Sequence, residues 1–232
     1  MDCGLRDVFA NTIGFLCRCP VLEVVRLHLS RNAITSLGLV HLARLGACPA
    51  LRNLWLDVSH NRLSGGSLEA FVGRFVSHPR PQRLETLHLN VGNAGLKDID
   101  MATVGNVGSL PNLQFLHLGL RGNQVSAATV ASILWLRFAK RLRHVTLDLQ
   151  DCELSRNDMC ELQALCTLSV LQLLLVGNQR LDNDDLFLLS KALYRPESRL
   201  QSFRLHVNEM AGTQLTYLAR TEPRLHVYVS SA

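Results

Sequence analysis

Residues 51–63 read LRNLWLDVSHNRL: Leu54, Leu56 and Val58 alternate with polar or aromatic residues, and Asn61 follows the alternation. Strict alternation of this kind is typical of a β-strand with one buried face. The same pattern begins again at intervals of 26 to 33 residues along the chain, at Leu22, Leu84, Leu113, Leu142, Leu168 and Leu200. The sequence therefore predicts a protein built from stacked repeats.

When each segment is numbered from 1 to 13, positions 1, 4, 6 and 8 are apolar in all seven, and positions 1 and 6 are always Leu. Backbone N–H and C=O groups that are buried where the chain leaves a strand must find partners, and an Asn side chain offers two donors and an acceptor. Position 11 is Asn or Cys in five segments, at Asn32, Asn61, Asn123, Cys152 and Asn178. We expect this column to connect successive coils, except at Ala94 and Met210.

A stretch with helical spacing follows each strand, so each unit is predicted to be strand, turn, helix and loop. Residues 95–108 are rich in Gly and Asp, which predicts a short or irregular helix there. Residues suited to capping the first turn of a helix stand at the start of several of these stretches: Ser36, Ser126, Ser155, Asp182 and Thr213.

The string LxxLxLxLxxNxL followed by a helix resembles the leucine-rich repeat family. The period near 29 residues, with Cys able to replace Asn, is similar to its ribonuclease-inhibitor-like subclass. The family's usual string has Asn two positions earlier, so the strands here are longer by one alternation. The resemblance implies the α/β fold class: a leucine-rich repeat solenoid, or curved horseshoe segment, with a parallel β-sheet on the concave side and helices on the convex side.

The resemblance covers nearly the whole chain, and residues 1–232 are interpreted as one leucine-rich repeat domain with about seven full repeats. Residues 3–17 resemble the end and the helix of a repeat without its strand, which predicts a partial first repeat. Either the chain is a piece of a longer protein or a partner covers this first edge. At the other end Leu225, Val227 and Val229 alternate once more and predict a strand that closes the stack.

If positions 4, 6 and 8 point into the core, positions 3, 5 and 7 point outward on the concave face. Their mixture of aromatic residues, His, Arg and Asp is the kind enriched at protein interfaces. Trp55 is the best single anchor for a partner; alternatively, these residues only solvate a sheet and Trp55 packs on a neighbouring side chain. The candidate partner-binding residues are Arg26, His28, Trp55, Asp57, His88, Asn90, Phe115, His117, His144, Asp148, Arg204 and His206.

His88 and His117 are predicted on adjacent strands in one column, where they could share a metal or repel each other when protonated. Two His residues without a third ligand or an orienting carboxylate make an incomplete metal site, even though Asp57 lies diagonally adjacent. The sequence also contains no nucleophile-elbow Ser, no glycine-rich phosphate loop and no Cys and His at a motif spacing. We therefore predict no catalytic site, no cofactor and no metal.

The chain has a formal net charge of +5, and of its 24 basic residues only Lys97, Lys140 and Lys191 are Lys. The Arg residues appear scattered singly, which is more typical of codon bias than of a nucleic-acid-binding tract. The seven Cys residues are an odd number, which favours reduced thiols and an intracellular, most simply cytoplasmic, location. No stretch approaches the ~20 apolar residues needed to cross a bilayer, so no membrane partner is predicted.

Three function classes follow from these observations. The first is a non-catalytic protein-interaction scaffold that binds an unidentified protein through the concave face, as a monomer or within a larger assembly. The second is a subunit of a ribonucleoprotein or other assembly that contacts nucleic acid through its scattered Arg residues. The third is a regulator of an enzyme, because the family includes ribonuclease inhibitors and GTPase activators.

Overall fold

The structure of the protein is a computed structural model that describes residues 4–63, 65–77, 83–208 and 213–230. Strands and helices alternate along the whole described chain. The strands are β1 (Val24–His28), β2 (Asn53–Asp57), β3 (Thr86–Asn90), β4 (Phe115–Gly119), β5 (His144–Asp148), β6 (Val170–Leu174), β7 (Ser202–Asn208) and β8 (Leu225–Ser230). The α-helices are α1 (Asp7–Gly14), α2 (Ser36–Leu42), α3 (Ser67–Ser77), α4 (Asp98–Met101), α5 (Ala127–Ile133), α6 (Arg156–Leu162), α7 (Asn183–Ser190) and α8 (Thr213–Ala219).

Short 3-10 helices continue most of the α-helices back toward the sheet. They are Phe15–Arg18, Ala43–Ala47, Val104–Ser109, Leu134–Phe138, Gln163–Thr167 and Lys191–Tyr194. The four-residue α4 and the 3-10 helix after it confirm that the Gly- and Asp-rich segment forms only a short, irregular helix. None of the helices in the described ranges is long and apolar enough to span a bilayer.

The eight strands form one open parallel sheet in the order β1 to β8, so each strand pairs with its neighbours in sequence. The register places equal repeat positions opposite each other: Leu27 pairs with Leu56, Leu56 with Leu89, and Leu89 with Leu118. The predicted α/β fold class is confirmed as a curved solenoid of repeats, and the predicted closing strand is β8.

The core lies between the sheet and the helices. Leu54, Leu56 and Val58 are fully buried, as are the residues at positions 4, 6 and 8 of the other central strands. Leu27, in the same column on β1, is only half-buried because no strand of the described residues covers that edge. Within α2, Leu39 and Leu42 face the core, whereas Leu37 is 56% exposed.

The predicted Asn column is the main polar feature of this core. Asn123 Nδ2 donates to the carbonyls of Leu120, in its own coil (2.9 Å), and Val91, in the preceding coil (3.0 Å). Its Oδ1 accepts the N–H groups of Ala94 (3.2 Å) and Leu96 (3.0 Å), also in the preceding coil. One amide side chain therefore satisfies four buried backbone groups across two coils.

The same arrangement recurs along the stack. Asn61 bridges to Leu29 and Ile34, and Asn178 bridges to Leu149 and Leu154. Asn32 accepts the N–H of Leu5, so the column extends to the partial first repeat before α1.

Two coils keep the connection without an Asn of their own. Cys152 directs its S–H to the carbonyl of Leu120 at 3.5 Å, as the Asn amide would, and burial raises the pKa of this thiol to about 12, so it remains a donor. In the coil of Ala94 the backbone takes this role, because the carbonyl of Ala94 accepts the N–H of Leu63, in the preceding coil, at 3.1 Å. Met210 and Cys3 lie outside the described residues.

A column of residues with a left-handed backbone lies beside the Asn column. The residue before position 11 has a positive φ in six coils, from +51° at Asn93 to +82° at Gly177. This left-handed conformation turns the chain out of the strand while its N–H still bonds to the next coil, as His60 does to Gly92 at 2.8 Å. A side chain at Gly177 would collide with the carboxylate of Asp151, so the absence of a side chain lets Asp151 occupy this place.

Helix capping matches the sequence at three of the five expected positions. Ser126, Ser155 and Asp182 are N-caps, with capping boxes at Ser155 and Asp182. The cap of α2 is Thr35 rather than Ser36: its hydroxyl accepts the N–H of Leu37, and Asp7 in turn receives a hydrogen bond from that hydroxyl. The side chain of Thr213 lies outside the described residues.

We predict that Asn123→Ala lowers the free energy of unfolding by about 2–5 kcal/mol, because it leaves buried backbone donors and acceptors in two coils without partners. Urea denaturation measures the change. Asn106→Ala is the matched control: Asn106 is exposed on the helix side, and its loss should cost no more than about 0.5 kcal/mol. Equal stability of the two variants would contradict the role given to the column.

Candidate interaction surface

The open face is the surface formed by positions 3, 5 and 7 of the strands, on the side of the sheet opposite the helices. Successive side chains of a strand point to opposite faces of the sheet, so positions 3, 5 and 7 face away from the core that positions 4, 6 and 8 fill. All twelve residues predicted as partner-binding lie on this face, and each is half-buried or exposed. In the described residues all the helices lie on the other side of the sheet.

Ring and cation contacts order the position-5 column across four adjacent strands. The guanidinium of Arg26 lies 4.4 Å from the ring centroid of Trp55, a cation–π contact. Trp55 is paired in register with His88, and His88 with His117. The two imidazoles stack with centroids 3.9 Å apart and planes 2° from parallel. Trp55 thus packs on a neighbour, as the alternative interpretation had it, while remaining half-exposed.

Two further pairs flank this column. Phe115, which is 43% exposed, packs against His144 with ring centroids 4.7 Å apart and planes tilted by 30°. His206 stacks on Tyr228 at 4.5 Å, and its Nε2 lies 2.8 Å from Nε2 of Gln172. The aromatic and imidazole groups of the face are therefore held by neighbours on adjacent strands.

Position 7 carries local turn contacts. Asp57 Oδ1 accepts both the N–H (3.0 Å) and the hydroxyl (2.7 Å) of Ser59. Asn90 accepts the N–H of Gly92, and Asp148 accepts that of Gln150. These side chains bond the backbone two residues further on and fix the exit from the strand. Asp57 is therefore directed at Ser59 rather than at His88.

Burial lowers the pKa of both stacked histidines. The pKa of His117 falls to about 4, first because the ring is largely desolvated and second because His88 lies beside it. Burial also lowers the pKa of His88, and His28 adds to this effect while Asp57 opposes it. The pair is thus neutral at physiological pH, which lets the rings stack.

The predicted residues outside these pairs are less constrained. His28 and Arg204 are exposed at opposite ends of the face. Burial lowers the pKa of His144, and the charges of Arg143 and Arg204 add to this effect. Within the part of the chain that the structure describes, no group of three or more His, Cys, Asp or Glu residues could hold a metal ion. The six described cysteines are free, and Cys160 is exposed.

Sequence reasoning missed two members of the face. Tyr228 was overlooked because β8 lies beyond the last repeat segment, although the alternation of Leu225, Val227 and Val229 already places it outward. Gln172 occupies position 5 of β6, and only its contact with His206 shows that it belongs to an ordered pair.

No protein-family model matches this chain, and no curated protein matches it.

We predict that the stacked histidines make stability fall on acidification. Both pKa values are lower in the folded state than in the unfolded chain, so between about pH 6.5 and pH 4 the unfolded state binds more protons and is favoured. His117→Phe keeps a ring but removes the titration, and it should reduce the stability lost between about pH 7.5 and pH 5 by about 1–2 kcal/mol. Urea unfolding at the two pH values measures this loss.

His226→Phe is the control, because His226 is exposed on β8. Comparison with the wild type cancels other groups that titrate in this range, such as Asp148, whose pKa is raised by burial. The same pH dependence in wild type and His117→Phe would show that the pair is not the source.

Proposed function

We propose that the protein is a non-catalytic leucine-rich repeat scaffold of the ribonuclease-inhibitor-like subclass, and that it binds a partner protein through the open face. The observation that carries the proposal is the ordered row of Arg26, Trp55, His88 and His117 across four adjacent strands. Aromatic residues and Arg are the residue types that dominate binding energy at protein interfaces.

Order within the row supports binding for an energetic reason. Immobilising a rotamer-rich side chain at an interface costs about 0.5–1.5 kcal/mol. Arg26 already lies over Trp55, and the two imidazoles are already stacked, so part of this cost is met during folding. The strands beneath Trp55, His88 and His117 each have a parallel neighbour on both sides, which keeps these three side chains in place when a partner docks.

The composition of the open face favours a folded protein as the partner. Trp55, Phe115 and Tyr228 provide flat apolar surface, and His, Arg and Asp side chains between them provide hydrogen-bonding groups. An apolar centre with polar surroundings is the general anatomy of a protein–protein interface.

The proposal predicts that Trp55→Ala and Phe115→Ala each lose partner binding and retain the fold, because both side chains are partly exposed. Wild-type and variant proteins serve as baits for affinity purification with quantitative mass spectrometry, and circular dichroism checks folding. Proteins recovered with the wild type should fall at least tenfold with each variant, which corresponds to about 1.4 kcal/mol or more.

Tyr217→Ala is the matched control, since Tyr217 is an aromatic residue of α8 on the helix side and is 70% exposed. This variant should recover the same proteins as the wild type. If no recovered protein depends on Trp55 or Phe115, the open face is not the binding surface. If Trp55→Ala unfolds the protein, the Phe115→Ala result decides.

A further inference from the structure

A second exposed surface lies outside the open face, on the coil that leads from β4 to β5. We call it the basic–aromatic rim, and it consists of Trp135, Arg137 and Phe138 on the 3-10 helix Leu134–Phe138, and Lys140, Arg141 and Arg143 in the connection to β5. All six residues are exposed, and Trp135 and Phe138 expose 62% and 60% of their surface.

The core of the coil does not use these aromatic rings. Leu134, Leu136 and Leu142 fill the interior beside them and are buried. The rings of Trp135 and Phe138 contact each other with centroids 5.6 Å apart and planes tilted by 55°, and the guanidinium of Arg137 lies 4.7 Å from the Phe138 centroid. Two large rings are thus held in fixed positions on the surface.

The cations of the rim are not neutralised by their surroundings. Among the described residues, no carboxylate lies within ion-pair distance of its three Arg side chains or of Lys140. Residues 101–120 and 162–179, which form the flanking coils at this level, contain no Asp, Glu, Lys or Arg. The four positive charges therefore add into one local field.

The backbone and one side chain of the connection are also fixed. Arg143 donates its N–H to the carbonyl of Gln114 (3.0 Å), and its carbonyl accepts the N–H of Val170 (2.8 Å). Arg141 Nη1 donates to Asn112 Oδ1 at 2.6 Å. The arrangement revises the view that the Arg residues are scattered, because this coil gathers several cations around one edge.

The rim continues into the open face. Arg143 precedes His144, whose ring packs against Phe115. Exposed aromatic groups therefore lie on both sides of the connection, with Trp135 and Phe138 on the helix side and the Phe115–His144 pair on the sheet side. A flat membrane cannot contact both sides of the coil at once, whereas a flexible chain can follow the edge between them.

We propose that the basic–aromatic rim binds single-stranded nucleic acid, with phosphates along Lys140, Arg141 and Arg143 and bases stacked on Trp135 and Phe138. A positively charged track with aromatic platforms is the general solution for binding single strands without sequence preference. Unpaired cations attract the phosphates and release their counterions, and exposed rings give the unstacked bases an apolar face.

Fluorescence anisotropy with labelled oligouridylate and oligothymidylate of about 12 nucleotides tests the proposal on the whole chain. The charge variant carries Lys140→Gln, Arg141→Gln and Arg143→Gln. Its affinity should fall more than tenfold, and because each phosphate contact contributes about 0.7 to the slope of log K against log salt, the slope should decrease by about 2.

The aromatic variant, Trp135→Ala with Phe138→Ala, should also weaken binding by about tenfold, because stacking contributes about 1–3 kcal/mol per base. Its salt slope should stay near that of the wild type. The matched control carries Arg31→Gln, Arg62→Gln and Arg180→Gln, which remove the same charge from exposed positions at the opposite edge of the sheet. The loss of affinity in this control should be at least fivefold smaller than the loss in the charge variant.

Three results would overturn the proposal. The control could lose as much affinity as the charge variant, which would mean that net charge alone is responsible. The aromatic variant could bind as the wild type does, which would leave the rings without a role. Vesicles of equal parts phosphatidylcholine and phosphatidylserine could bind in a Trp135-dependent way while the oligonucleotides do not, which would identify a membrane surface. None of these results depends on the open face, so they are separate from the test of protein binding.

Discussion

The buried amide of each column Asn is the interaction on which the rest of the structure depends. A parallel strand must be followed by a turn that takes the chain away from the sheet, and this turn buries backbone groups that the sheet cannot satisfy. Asn61, Asn123 and Asn178 meet this requirement from the following coil, so each turn is completed only when the next coil is in place. Stacking and turn formation are therefore one event.

This coupling explains why one side of the sheet remains open. The chain crosses to the helix side after every turn, and the apolar residues at positions 4, 6 and 8 draw the helices onto that side alone. Many side chains on the other side pack against neighbours on adjacent strands, which produces the rows of rings and cations. The two proposed binding surfaces are both consequences of this geometry: one is a row across strands, and the other wraps the edge of a single coil.

Much of the fold could be predicted because it follows from period-2 alternation and one recurring polar residue. The alternation of Leu54, Leu56 and Val58 indicates the buried face, and Asn61 indicates the turn. The contacts within the candidate site were harder to predict from the sequence, because the direction of a side chain depends on the local turn. The sequence places Asp57 diagonally adjacent to His88, but its carboxylate bonds Ser59, since the donors two residues away are closer. The rim could have been found from the sequence, because Arg137, Lys140, Arg141 and Arg143 all fall within residues 137–143, beside Trp135 and Phe138.

Native-state hydrogen exchange at the amides that the Asn side chains accept tests the central claim most directly. Ala94, Leu96, Cys152 and Leu154 lie outside the strands, so an ordinary surface turn would leave their N–H groups to exchange with almost no opening energy. We expect opening free energies close to that of Leu118 in the centre of β4, because these amides can be released only when the coils separate. Exchange at these four amides several kcal/mol more easily than at Leu118 would contradict the account.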